Sequence, residues 1–232
     1  MSTQFDPLRT TAQELPPMSL HSLEDFLRFP IKKITTDSGL DLIYFENCSA
    51  GGEHNSKKIL EIISTTGKRH YRHAHEWCCG HAAIGLELLH QGFCDRLSLS
   101  DQFLPAIISA EFSIALNGWQ DRAQVYQIKE FSSLPKINCD LIVADPPHLC
   151  SGEGLSANQD GLRQAVDHDW RSHENLFANL TGRLSPDGDL YLYEGYYGSD
   201  ADIWAKMAAK NGLRMIGFYS TSSDNYVAHF RY

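Results

Sequence analysis

The sequence predicts an α/β fold built on a parallel, doubly wound sheet covered by helices on both faces. Three observations carry that expectation. Short apolar runs at 74–78, 96–100, 123–128 and 140–144 alternate with helical patterns, the arrangement that produces strand–helix–strand crossovers. Gly67, Gly92 and Asn117-Gly118 close the intervening helices. Three of the runs finish on or beside an acid, Glu76, Asp101 or Asp145, at the carboxyl ends of the strands, where such sheets bind their ligands.

Residues 1–30 carry Pro7, Pro16, Pro17 and Pro30 and read as an extended lead-in with one short helix at 22–28. Ile31–Thr35 and Leu40–Phe45 flank the turn cluster Thr36-Asp37-Ser38-Gly39 and predict a hairpin. A small, glycine-rich stretch follows at 48–54. Asn55 or Ser56 then caps a helix that carries Ile59, Leu60, Ile62 and Ile63 on one face. We therefore divide the chain into an N-terminal accessory segment, 1–54, and a main domain, 55–232. The accessory segment reads either as a collar over the substrate, with Glu53 and His54 near the opening, or as simple packing.

Four histidines and two cysteines crowd the stretch from Arg69 to His81. Zinc sites show spaced Cys or His pairs, whereas Cys78 and Cys79 are adjacent and point apart on an extended chain, so the reading is strand-end histidines and reduced thiols with no metal. The strand Ala74 to Cys78 runs into the tight turn Cys78-Cys79-Gly80-His81-Ala82 and a helix from Ala83 to Gln91. Small residues there let a ligand approach the backbone, and the helix start offers free N–H groups. Asp101 ends the next strand, 25 positions beyond Glu76, as an acid placed to bind ribose hydroxyls. Pro105 suits the first turn of the following helix.

Leu141 to Ala144 are continuously apolar, as in a central strand buried on both faces, and stop at Asp145. Pro146 holds Asp145 extended, and two successive prolines remove two backbone donors. What remains is an acceptor-rich corner able to grip an N–H group, with His148 able to lay a flat ring beside it. An ordinary strand exit whose prolines merely end pairing is the alternative reading of the same residues. Beyond it lie a long polar loop at 150–169, a helix carrying Leu176, Phe177, Leu180 and Leu184, a strand with Tyr191 and Tyr193, a helix with Trp204, Met207 and Ala208, and two final strands. Trp170 reads as packing or as a substrate wall, and Tyr196 and Tyr197 lie past their strand end where they could face a substrate.

These segments together resemble the class I S-adenosylmethionine-dependent methyltransferases, most closely the HemK-like and related N-methyltransferases with an Asn/Asp-Pro-Pro-aromatic motif. Glu76 to Gly85 is similar to the acidic, glycine-rich cofactor loop, Asp101 to Gly118 to the ribose-binding segment, and Asp140 to His148 to the catalytic strand and corner. Leu184 to Gly195 looks like the family's helix exit, turn and fifth strand. The resemblance implies a Rossmann-like, seven-stranded, mostly parallel sheet with an antiparallel last strand. It implies S-adenosyl-L-methionine held by Glu76, Cys78, Cys79, Gly80, Ala82, Asp101, Gln102 and Asp145, with Lys129 and Glu130 on the adenine side. Asp145, Pro146, Pro147 and His148 would be catalytic. By their places in the chain, His54, Trp170, Tyr196 and Tyr197 are the candidates for facing the substrate. Cys78 and Ala82 stand where the family commonly has glycine, and Asp145 and His148 replace the Asn and Tyr of glutamine methyltransferases.

The expected function is methyl transfer to a nitrogen of a small planar or amide-bearing metabolite. Protein glutamine methylation and a catalytically inactive cofactor-binding protein stand as alternatives. A formal net charge of −9 argues against a nucleic-acid partner. No apolar run is long enough for a bilayer and no signal segment opens the chain, so a cytoplasmic protein without a membrane partner is expected. The sequence sets no oligomeric state.

Overall fold

The computed structural model describes residues 31–45, 52–151 and 166–232. The helix expected at 22–28, the glycine-rich stretch at 48–51, most of the polar loop and the His54 side chain lie outside the described residues. The N-terminal hairpin pairs β1 (Ile31–Thr35) with β2 (Asp41–Phe45) in antiparallel register. Helix α1 (Gly52–Thr66) follows, beginning three residues ahead of the predicted cap at Asn55. The main sheet contains β3 (Tyr71–Trp77), β4 (Cys94–Asp101), β5 (Ala123–Gln127), β6 (Cys139–Ala144), β7 (Leu184–Gly195), β8 (Arg214–Ser220) and β9 (Asn225–Arg231). Its order is β5-β4-β3-β6-β7-β9-β8, parallel from β5 to β7, with β9 antiparallel to both neighbours. This is the predicted seven-stranded, mostly parallel, doubly wound sheet.

Among the described residues four more α-helices cover it: α2 (Ala83–His90), α3 (Leu104–Leu116), α4 (Arg171–Ala178) and α5 (Ala201–Lys210). All six residues of β6 are buried, as its unbroken apolar run requires of a central strand. One core layer joins α1, α2 and α3 to the sheet through Ile59, Leu86, Leu99 and Val143; the other packs α4 and α5 on the opposite face around Leu176, Phe177 and Trp204. The polar exceptions in these layers are paired. His75, fully buried, sits between the hydroxyls of Ser98 and Ser100, and burial pulls it down to about 3, so the ring is neutral.

The entrance to β7 differs from the sequence-based expectation. Leu184 does not continue a helix: α4 stops at Ala178 and Leu184 already pairs with Cys139, after which the register shifts before Leu141 meets Asp189. The extra residues at Ser185-Pro186-Asp187-Gly188 form an irregularity at the strand entrance, where Pro186 cannot donate to a ladder. The hairpin, for its part, lies along α3. Ile43 donates its N–H to Ser113 Oγ at 2.9 Å, Asn117 donates to the Asp41 carbonyl, and Thr36 and Ser38 clasp the buried Glu87 of α2 at 2.7 and 2.8 Å. No helix among the described residues is long and apolar enough to cross a membrane.

Candidate functional site

Strand register brings the three acids to one edge. Trp77 pairs with Ser100 on one side and Ala144 on the other, so the next residues, Cys78, Asp101 and Asp145, stand abreast at the carboxyl ends of three adjacent strands. A cavity of about 510 Å³ opens there, within the size range of small-molecule and cofactor sites. Its wall contains Glu76, Cys78, Cys79, Gly80, Asp101, Gln102, Lys129, Glu130 and the whole corner Asp145-Pro146-Pro147-His148.

The loop from β3 to α2 is built on alternate left-handed residues: Cys78 (φ 55°), Gly80 (φ 50°) and Ala82 (φ 59°). Two of these three carry a Cβ in a region that costs roughly 1–2 kcal/mol for such residues, so the surroundings must hold the turn. Cys79 donates its N–H to the Ser100 carbonyl, and Ala82 donates back to the Cys79 carbonyl. Gly80 donates to Asp101 Oδ2 at 2.9 Å. Glu76 braces the loop from beneath, with Oε2 accepting the Gly85 N–H at 2.8 Å. Burial, with Asp145 and Asp101 close by, pushes the Glu76 carboxyl well above the usual range, against the pull of the Gly85 and Ile84 amides. Ala82 is fully buried under the turn and belongs to its frame rather than to the wall.

Asp101 accepts a second N–H, from Phe103, at 2.8 Å, which fixes its carboxylate at the rim. Burial raises its pKa, partly offset by these backbone donors. Phe103, Ala106, Ile128 and Phe131 supply apolar wall that the sequence reading missed, and Arg171, Ser172 and Asn175 close the side contributed by α4. Their signal was weak: Phe103 lies two residues beyond the end of β4 and Phe131 four beyond the end of β5, outside any periodic run, and α4 is remote in sequence.

At the corner, Asp145 is held from two sides. Asn55 on α1 donates to Oδ2 at 2.9 Å, and His148 Nε2 lies 2.9 Å from Oδ1. His148 Nδ1 reaches Glu194 Oε2 at 3.4 Å, so both ring nitrogens are engaged and only the ring faces are open to packing. Tyr193 takes part of that, with ring centroids 6.4 Å apart. Burial lowers the His148 pKa, but the hydrogen bonds to Asp145 and Glu194 outweigh it and raise it to about 10.

The remaining predicted residues are not on the wall. Trp170 is buried, edge-on to Trp204 at 4.9 Å and to His173 at 5.3 Å, and serves packing. Tyr196 and Tyr197 are exposed past the end of β7, on the same edge as the cavity. Of the crowded histidines, His81 lies tilted against Tyr44 of the hairpin with ring centroids 4.0 Å apart, and His70 faces Asp95 and the Gly92 carbonyl.

The sequence matches no protein-family model and no curated protein. Among solved structures, the chain superposes on the ribosomal protein L11 methylase of Lactobacillus delbrueckii subsp. bulgaricus with a TM-score of 0.58 at 15% identity, covering 78% of this chain and 81% of that one. A methyltransferase from Pyrococcus furiosus gives 0.58 at 13%, covering 75% and 81%. TYW2 of P. horikoshii, in complex with MeSAdo, gives 0.61 at 11%, covering 87% and 70%. At these identities the likeness establishes the fold, and that fold is the Rossmann-like architecture of methyltransferases.

Proposed function

We propose that the chain is an S-adenosylmethionine-dependent N-methyltransferase acting on a small planar or amide-bearing metabolite. One observation carries the reading: the left-handed loop, Asp101 and the Asp-Pro-Pro-His corner stand at adjacent strand ends and open on the same cavity. The fold of methylases and methyltransferases, one of them described with MeSAdo, supports methyl transfer in general. The Asp-Pro-Pro-aromatic pattern favours the HemK-like and related nitrogen methyltransferases within that fold. Asp145 and His148, in place of Asn and Tyr, favour an acceptor other than protein glutamine. The net charge of −9 favours a small acceptor over nucleic acid.

The residues present fit the cofactor. Asp101 spends one lone pair on each of two backbone donors and keeps others for a ribose diol. Phe103, Ile128 and Phe131 offer apolar wall for a base, beside Lys129 and Glu130. The backbone of Cys78 to Gly80 borders the cavity for the methionine part, with Glu76 and Ala82 shaping the turn. The acids Asp101 and Asp145 at adjacent strand ends on the cavity wall suit a cationic sulfonium. When bound, S-adenosylmethionine supplies an electrophilic methyl group whose C–S bond breaks, its electron pair staying on sulfur, as the acceptor nitrogen's lone pair forms the C–N bond.

The chain's own contribution is alignment and charge. Asp145 and the Pro146 carbonyl accept N–H bonds from the target and aim its lone pair; Pro147 keeps a second donor out of the corner. The Asp145 carboxylate then takes the proton that the methylated nitrogen sheds. Segment 1–54 acts as a collar in this reading, supported by the contact of Tyr44 with His81 in the loop.

The test supplies methyl-labelled cofactor with separated small-molecule and protein fractions of a cell extract. Label should enter the small-molecule fraction with wild type and not with Asp145→Ala. Label confined to protein overturns the metabolite assignment, and equal rates in the variant overturn the role of Asp145.

A further inference from the structure

Behind the corner, a row of alternating carboxylates and imidazoles runs from the cavity into the core. Asp145 Oδ1 meets His148 Nε2 at 2.9 Å, His148 Nδ1 meets Glu194 Oε2 at 3.4 Å, Glu194 Oε1 meets His173 Nε2 at 2.8 Å, and His173 Nδ1 meets Asp167 Oδ2 at 2.6 Å. The members come from the β6 exit, the end of β7, α4 and the residues just ahead of it. Glu194 and His173 are fully buried and Asp167 nearly so. An ionised carboxylate can only accept, so with the three acids ionised each imidazole nitrogen donates and both rings are imidazoliums. Three carboxylates and two imidazoliums leave one net negative charge. Such a row is costly to bury, and it lies directly behind the corner.

We infer that Glu194, His173 and Asp167 are positioning residues that act through His148 to fix the Asp145 carboxylate facing the methyl acceptor. The inference rests on the proposed function and deepens it. The row has little freedom to rearrange. His173 is stacked on Trp204 with centroids 4.6 Å apart and is edge-on to Trp77 and Trp170. Asp167 also accepts the N–H groups of Ser172 and His173 at the start of α4. Asn55 holds the other oxygen of Asp145. The further titratable neighbours are Glu76, Cys78, Tyr193 and Tyr226, whose burial raises each of their pKa values and favours the protonated, neutral form. Burial alone lowers both histidines, yet their carboxylate partners raise His148 to about 10 and His173 to about 9.

The test is a pH titration of the full chain labelled with ¹⁵N-histidine, read by NMR, in wild type, Glu194→Gln and Asp167→Asn, alongside cofactor calorimetry. His148 and His173 should keep both ring nitrogens protonated above pH 8 in wild type. Glu194→Gln should move the His148 midpoint at least tenfold in proton concentration toward neutrality. Asp167→Asn, which keeps a helix-start acceptor, should do the same for His173 and serves if Glu194→Gln does not fold. Wild-type midpoints near the free-histidine value, or midpoints unmoved by either variant, overturn the inference. Absence of cofactor binding to wild type removes the methyltransferase reading while leaving the titration result to decide the row itself. Where label transfer is seen, Glu194→Gln should slow it by roughly tenfold to a hundredfold at unchanged cofactor affinity, and an unchanged rate overturns the positioning role.

Discussion

Gly85 lies in the first turn of α2, where its N–H caps Glu76 under the cofactor loop. A Cβ added there would lie 2.7 Å from Glu76 Oε2, 2.8 Å from Leu99 Cδ2 and 3.0 Å from Leu97 Cδ1. None of the three can move away freely: Leu99 is fully buried, Leu97 and Glu76 nearly so. Overpacking of this kind costs about 1–3 kcal/mol, and displacing Glu76 weakens a hydrogen bond worth about 1 kcal/mol. Against these, alanine gains about 1 kcal/mol over glycine in a helix. Gly85→Ala should therefore lose about 1–3 kcal/mol, which for a chain of this length lowers Tm by roughly 2–4 °C per kcal/mol. Urea unfolding measures the loss directly, and calorimetry should show weaker cofactor binding because the loop rests on Glu76. A variant as stable as wild type, or more so, would mean that helix propensity dominates and that the Glu76 brace is slack.

The buried imidazoliums also predict a pH dependence. His148 and His173, raised to about 10 and about 9 from an ordinary 6.5, contribute stability that is whole below about pH 6.5 and is lost as pH rises through those raised values; urea midpoints that do not fall between pH 8 and 10.5 would contradict this. On the acid side, His173 and the Ser172 amide hold the Asp167 carboxyl below its ordinary 3.8 against burial, so its contribution persists above that value and disappears as pH drops through the depressed pKa. Tyr226→Phe removes the oxygen that accepts Trp204 Nε1–H at 2.6 Å in the core; the stranded donor should cost about 1–3 kcal/mol in denaturant unfolding, and a neutral result would show that water or another group replaces it.

The order of strands and helices was legible because the signals there are local. An unbroken apolar run such as Leu141 to Ala144 can only be a covered strand in this setting, and Pro105 and Gly92 mark where helices start and stop. The acids at the strand ends were legible for the same reason, since register makes Cys78, Asp101 and Asp145 neighbours once the strands are parallel. The entrance to β7 was not: Leu180 and Leu184 keep a helical spacing, and only pairing with Cys139 shows that Leu184 belongs to a strand. The row behind the corner was hidden because Asp167, His173 and Glu194 each have a bland local reading, as loop, helix face and strand. An acid inside the aromatic run Leu190 to Gly195 was the available hint, because a buried strand position tolerates Glu only with a partner. His148 read as a flat surface for a substrate, whereas both its nitrogens are committed to carboxylates.

The most direct test of the account is calorimetric titration of the purified chain with S-adenosylmethionine and S-adenosylhomocysteine, with Asp101→Ala as the control. The account predicts that wild type binds both and that the variant loses at least about tenfold in affinity, as expected for removing a charged hydrogen-bond acceptor. Absence of binding to either compound would contradict it, leaving the Asp-Pro-Pro-His corner as a strand exit and the methyltransferase likeness as one of fold alone.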